Sequence, residues 1–472
     1  PERGTAEVTG RIERGMSWAL KFMSGATAGS EARQSQSTWK LERGALQSGN
    51  GTAVMPREPG LEIGGAFDSL RFEDWFPGRG DAIGGEPADG GLIRRIALTA
   101  KRFAVVGRVF PDAGIDATRF ANEWRIAVRG PSARGSLIVP ADGDPDKPVI
   151  LEMDRLWLVE SDPVRGEGTT DPRDLPPIRA TVDNFVLGDM KLGRLTAELA
   201  QRGDGVVVEP LRMQGRTFDV TGDATWVVEG NDVARQRSEL RLRLVSSSLS
   251  PTLKALGYEP VVEGDSGKVT LDLFWPGGPS NDFLNVAGGR VVLDLDKGRL
   301  LPVDPGGGRL LGLLSIATLP RRLGFDFSDL VDEGLAFDEV KGEFRLDKGN
   351  AFTCNLGLDG PATDIAVLGR ASIRDRQYDQ LAVVRPHVSD ALAMGGFVGG
   401  PVVGSTVLLV SQIFRKPLSA LGESYYRVTG TWDQPAVAKV QKGDVDLAPF
   451  RDCERYLAEV LRELPPEAEL TR

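Results

Sequence analysis

The chain has 472 residues, 26% of them charged and 41% hydrophobic, with a formal net charge of −10 and a pI near 5.1. That balance fits a folded, water-exposed protein and argues against a disordered tail or a nucleic-acid clamp, whose phosphate contacts need a basic surface. One histidine and two cysteines, with no CxxC, HExxH or paired-His spacing, leave little material for a metal centre and neither demand nor exclude a disulfide.

Residues 1–60 show strand fragments at Ala6–Gly10 and Trp39–Leu41 between Gly- and Ser-rich loops. From Gly60 the pattern sharpens. Gly60–Phe67 predicts a strand, and Arg71–Phe76 a short helical turn stopped by Pro77 and Gly78. A Gly- and Asp-rich loop runs to Gly91. Strands are then expected at Ile93–Val109, Ala117–Val128, Gly135–Val139 and Val149–Leu158. Ser161–Pro177 is polar, holds four prolines and is the best linker candidate.

Beyond it the alternation is clean. Ile178, Ala180 and Val182 interleave with Arg179, Thr181 and Asp183; Leu195, Ala197 and Leu199 with Thr196 and Glu198. Leu240, Leu242 and Leu244 interleave with Arg241 and Arg243; Val269, Leu271, Leu273 and Trp275 with Thr270, Asp272 and Phe274. A period of two gives each strand one apolar and one largely polar face. A short helix interrupts, with Ser250 as N-cap, Pro251 at N1 and Gly257 at C′. Echoes of Val-Thr-Gly at 8–10, 220–222 and 428–430, and of Leu-Asp-Lys-Gly at 295–298 and 346–349, point to repeated hairpin units without a strict period.

Gly307–Leu319 is apolar on nearly every side at helical spacing and predicts a buried helix, followed by an irregular cap at Arg321–Glu333. Strand pieces follow at Leu335–Phe337 and Gly342–Leu346, with an Asp347–Asn350 turn into Ala351–Thr353. Ala391–Phe414 has no charge; as one helix it would rise roughly 36 Å, enough to cross a bilayer. Gly396, Gly400 and Gly404 give it a small-residue face, whereas Pro401 and five glycines disfavour a continuous helix in water. It reads either as a buried helical hairpin or as an interfacial segment closed by Arg415 and Lys416. In the tail, Phe450, Cys453, Leu457, Val460 and Leu464 share one helical face.

Catalytic constellations are weak. Gly264–Gly267 spells GDSG, but the lone His387 follows that serine instead of preceding it, and the surrounding residues read as a turn entering a strand. Gly267-Lys268 continues with Val269 and is no Walker A. The strands offer much apolar face and few helices to bury it. Alternation alone leaves two solutions open: a sandwich or barrel that covers itself, or a curled sheet with an apolar floor.

The run GRLLGLLSIATLPRRLGFDFSDL, then GLAFDEVKGEF, LDKGNAFTCNLGLDGPA and YYRVTGTWDQP, resembles the C-terminal region of proteins of the AsmA-like family of the proteobacterial envelope. The resemblance is densest from about Asp171 to Pro435, extends back to Gly60 and stops before the tail after Lys442. It implies a mainly β fold: an elongated, curved antiparallel sheet forming a hydrophobic groove, with a few short helices. Its segments would be a β-rich part at 1–160, a linker-like loop at 161–177 and a β-groove at 178–390. A Gly-rich apolar segment at 391–416, final strands at 417–440 and a tail at 441–472 complete it.

The function implied is non-enzymatic movement of phospholipid between inner and outer membranes, without cofactor or nucleic acid. The alternative is an envelope assembly factor with an ordinary closed core. The resemblance implies a periplasmic location with an inner-membrane anchor absent from this chain, which is then expected to be a C-terminal fragment or the product of a truncated gene prediction. Groove candidates are Ile178, Ala180, Val182, Leu195, Leu199, Leu240, Leu242, Leu244, Val269, Leu271, Leu273 and Trp275. Membrane-contact candidates are Phe397, Val402, Val403, Leu408, Leu409 and Phe414.

Overall fold

The computed structural model describes residues 5–12, 15–25, 38–49, 51–71, 92–105, 108–141, 144, 146–158, 171–230, 232–280, 282–301, 334–387 and 424–441. Within them the chain is mainly β: twenty-three strands, one α-helix and two single-turn 3₁₀ helices. Two compact units are distinguished, residues 1–189 with 193–208, and residues 190–192 with 209–472.

The first unit carries β1 (Thr5–Ile12), β2 (Met16–Gly25), β3 (Thr38–Ser48), β4 (Gly60–Arg71) and β5 (Ile93–Val105). It continues with β6 (Arg108–Arg119), β7 (Glu123–Arg129), β8 (Ala133–Pro140), β9 (Val149–Leu158) and β10 (Ile178–Leu187). Each strand pairs with the next. Most pairings are antiparallel, but β3–β4, β4–β5 and β9–β10 are parallel. The expected antiparallel sheet is therefore mixed here: a parallel neighbour begins at the same end of the sheet as the strand before it, so the chain has to cross back between them and cannot turn as a hairpin. β11 (Met190–Arg202) and β12 (Gly205–Gln214) each contribute residues to both units.

The second unit holds β13 (Phe218–Val228), β14 (Gln236–Ser246), β15 (Val262–Gly264), β16 (Gly267–Pro276) and β17 (Gly288–Leu300). After them come β18 (Leu335–Asp347), β19 (Asn350–Asp359), β20 (Thr363–Ser372), β21 (Gln377–Pro386), β22 (Ser424–Thr431) and β23 (Pro435–Val440). β14 pairs directly with β16, the short β15 extends β17, and every pairing is antiparallel. Among the described residues no pairing joins β13 to β23, so the succession does not close into a barrel.

Several predicted elements shift. Ile93–Val109 resolves into β5 and the start of β6, and Ala117–Val128 into the end of β6 and most of β7. Leu335–Phe337 and Gly342–Leu346 are one strand, β18. The turn after it has left-handed Lys348 (φ 45°) and Gly349 (φ 81°), the type I′ pattern whose twist matches a hairpin. The predicted helix is α1 (Leu249–Ala255), with Ser248 and not Ser250 as N-cap. Three serines precede the apolar residues, and Ser246 Oγ accepts from the Ser248 N–H (3.2 Å), which sets the entry earlier. Gly257 does take the C′ place, at φ 81°. The predicted helix at Gly307–Leu319, its cap, the turn at Phe72–Phe76, the segment Ala391–Phe414 and the tail lie outside the described residues.

Candidate functional site

Residues directly opposed across a strand pair point to the same side of the sheet, so the registers trace each face. In the second unit Leu240, Leu242 and Leu244 stand opposite Leu273, Leu271 and Val269. Those continue to Val291 and Leu293 on β17 and to Phe344 on β18. Beyond it come Leu356 with Val367, Leu358 with Ile365, and then Ala382, Val384, Tyr426 and Val428. One apolar face thus runs across ten strands, β13–β14 and β16–β23. Trp275 ends its row opposite Ser238, with its indole N–H given to the Gly278 carbonyl (3.0 Å) and the Phe283 ring tilted against it, centroids 4.6 Å apart.

This face changes character along its length. Leu240, Leu242, Leu244, Val269, Leu271, Val291 and Leu293 are only partly buried. Leu356, Leu358, Val367, Ala382 and Val428 have no exposed surface. At β20–β22 the opposite face is buried too, through Leu368, Leu381, Val383 and Tyr425.

In the first unit a second apolar face runs from Ile96, Leu98 and Ala100 through Ala117, Ile115 and Ala113 to Ile126 and Val128. It continues to Leu137, then Leu151 and Met153, and reaches Ala180 and Val182. Ile178, Ala180 and Val182 thus share one face, and Val182 has no exposed surface. Leu195 and Leu199 are partly buried on β11. Phe397, Val402, Val403, Leu408, Leu409 and Phe414 lie outside the described residues.

The other side of the second unit's sheet carries a row of charge that sequence reading missed. Asp223, Arg241, Asp272, Arg290 and Arg345 stand directly opposite one another on β13, β14, β16, β17 and β18. Phe352, Arg370 and Asp379 extend the row to β21. Arg241 Nη2 lies 2.9 Å from Asp223 Oδ2, and Arg290 Nη2 lies 3.6 Å from Asp272 Oδ2. Arg345 is 2% exposed; Glu343 pairs with it, yet its Nε and Nη1 find no acceptor. Burial lowers the Arg345 pKa, against the support of the Glu343 charge.

The catalytic residue types do not assemble. Ser266, in the turn between β15 and β16, donates to Asp296, whereas His387 Nε2 sits 3.1 Å from Asp364 Oδ1 and its Nδ1 3.3 Å from the Pro361 carbonyl. Among the described residues no group of three or more His, Cys, Asp or Glu is placed to hold a metal, and no helix is long and apolar enough to cross a membrane. Cys354 on β19 is disulfide-bonded, and the sequence has one other cysteine, Cys453.

A family model described as YhdP protein matches residues 5–437, nearly the whole succession of strands. The chain belongs to the YhdP family. Over 252 residues it is 27% identical to the intermembrane phospholipid transporter YhdP of Escherichia coli (strain K12), covering 53% of this chain and 20% of that protein. The matched part therefore spans about a fifth of the length of that YhdP relative. No solved structure matches the chain.

Proposed function

We propose that this chain forms part of a non-enzymatic conduit for phospholipid between the inner and outer membranes of a bacterial envelope, with the apolar sheet face as the floor of a groove. The observation that carries this is an apolar face across neighbouring strands that stays partly exposed at Leu240–Leu244, Val269–Leu271 and Val291–Leu293. A two-tailed lipid in water exposes about thirty methylenes, roughly 20–25 kcal/mol at ~0.8 each. A continuous apolar floor removes most of that cost while the headgroup stays wet, and no bond is made or broken. The YhdP relative's name as an intermembrane phospholipid transporter supports the cargo class. The Cys354 disulfide supports a periplasmic setting, since such bonds persist in oxidising compartments.

Closed packing at Leu356, Val367 and Val428 favours a second role for the other end of the same face, as an ordinary core that anchors the sheet. In its extreme form this is the assembly-factor alternative, in which no lipid enters.

A photocrosslinking side chain at Leu271, with Thr270 on the opposite face as control, separates the two. Phospholipid captured at Leu271 and not at Thr270 is the expected result. No capture at Leu271, or equal capture at both, removes the groove.

A further inference from the structure

On the polar face of the first unit, arginines are generally matched to carboxylates. Arg95 grips Asp116 through two hydrogen bonds (3.2 and 2.7 Å), Arg125 lies 2.6 Å from Glu123, and Arg179 lies 3.3 Å from Glu198. At the end of the strands where β7 turns into β8 this rule breaks. Arg129 stands directly opposite Arg134, and Arg134 directly opposite Arg155. Three arginines therefore lie abreast on three neighbouring strands, and all three are exposed.

The carboxylate that Arg129 approaches is already committed. Arg129 reaches Asp116 only at 3.9 Å, and Asp116 is held by Arg95. Among the described residues Arg134 and Arg155 have no carboxylate within ion-pair distance. Glu152, one row along on the same face, and Asp154, next to Arg155, are exposed and do not pair with them. Like charges directly opposite on a sheet oppose folding, so the row contributes nothing to the stability of the unit. With strands about 4.8 Å apart the three guanidinium groups span roughly 10 Å, the scale of adjacent headgroups and not of one small ion.

We propose that Arg129, Arg134 and Arg155 form a docking row for the phosphate headgroups of an anionic bilayer surface. The planar, permanently charged guanidinium matches phosphate oxygens two at a time and is weakly hydrated, which suits a surface contact with lipid phosphates. The proposal rests on the reading of the chain as a conduit that works against a membrane, and it adds where that membrane is met. An acidic protein segment is the competing occupant. The lipid surface is favoured because the row is exposed beside the β7–β8 turn and belongs to a YhdP-family chain whose relative is named an intermembrane phospholipid transporter.

The chain's net charge of −10 makes the test sharp, because an anionic bilayer repels such a protein unless a local cationic surface meets it. The 472-residue chain is floated with phosphatidylglycerol-containing vesicles and with pure phosphatidylcholine vesicles at low and high salt. Binding to the anionic vesicles only, weakened by salt, is expected, with R129Q/R134Q/R155Q losing roughly a hundredfold in partition at about fivefold per arginine. The triple variant should melt no lower than the parent, since it relieves like-charge contacts. Equal flotation with both vesicle types, no flotation, or full binding by the triple variant overturns the proposal; absence of flotation leaves the acidic protein partner as occupant. Phospholipid capture at Leu271, measured in the same proteins, is independent of the row: its loss with vesicle binding retained strikes the conduit and not the docking surface.

Discussion

Arg290 and Arg345 stand directly opposite each other where β17 pairs with β18, two like charges in register on one face of the sheet. Asp272 flanks the first at 3.6 Å and Glu343 pairs with the second, so the pair survives by what surrounds it. Arg345 is the buried member.

This arrangement makes Glu343 more important to stability than Arg345 itself. Glu343→Gln leaves a buried arginine beside another arginine without a counter-charge and should cost about 3 kcal/mol. Arg345→Met removes both the repulsion and the unmatched donors, and should cost less than half as much. Adding Arg345→Met to Glu343→Gln should recover stability. Urea denaturation of the two single variants and the double variant checks this, and a double variant as weak as Glu343→Gln would refute it.

The two ends of the apolar face should answer differently to the same substitution. Val367→Asp places a carboxylate in fully closed packing and should cost more than about 4 kcal/mol, enough to unfold the second unit. Leu271→Asp lies where water already reaches, and should cost about 1–2 kcal/mol while abolishing lipid capture at that position. Equal melting losses for both would mean that the face is one closed core.

Histidine at 387 gives the protein a pH signature. Burial opposes its protonated form, but the hydrogen bond and charge of Asp364 outweigh burial, and its pKa is raised. The stabilising contribution is whole below about pH 6.5, the ordinary histidine value, and is lost as pH rises through the higher folded value. Melting temperature should therefore fall with rising pH in that window, and His387→Gln should flatten the fall. Asp359 adds a separate acid window: burial, then Asp364 and Glu339, raise its pKa, so stability falls as pH rises from the ordinary carboxylate value. Asp359→Asn should remove that slope and leave the histidine one.

The disulfide at Cys354 predicts no reactive thiol in protein recovered from an oxidising compartment, and two after reduction. Cys354→Ser leaves Cys453 as the lone thiol, which should then label without reductant. Two thiols that label at once in the untreated native protein would contradict the bond.

How much of this was legible in the sequence depended on whether the signal was local. The strict alternation of Leu240–Leu244 and Val269–Trp275 placed β14 and β16, and with them one continuous face, because period two is a property of the strand itself. β2 (MSWALKFMSG) went unseen although Met16, Trp18, Leu20 and Phe22 alternate with Ser17, Ala19 and Lys21, so here the local signal was present and passed over. The parallel entries of β4, β5 and β10 were invisible, because direction of pairing is settled by how connections cross and not by strand composition. The abreast arginines and the charge row were hidden for a related reason. Arg129, Arg134 and Arg155, or Asp272 and Arg290, meet only once register is known.

The charge row also acts as a ratchet on assembly. A β17 that zipped onto β16 one residue out of step would bring Arg290 to Leu271 or Leu273 instead of Asp272, and would turn Val291 and Leu293 outward. The error is penalised twice within a single hairpin, before β18 arrives. Since Arg241 checks Asp223 in the same way, register is enforced locally at the β13–β14 and β16–β17 pairings, without a closing seam to correct it.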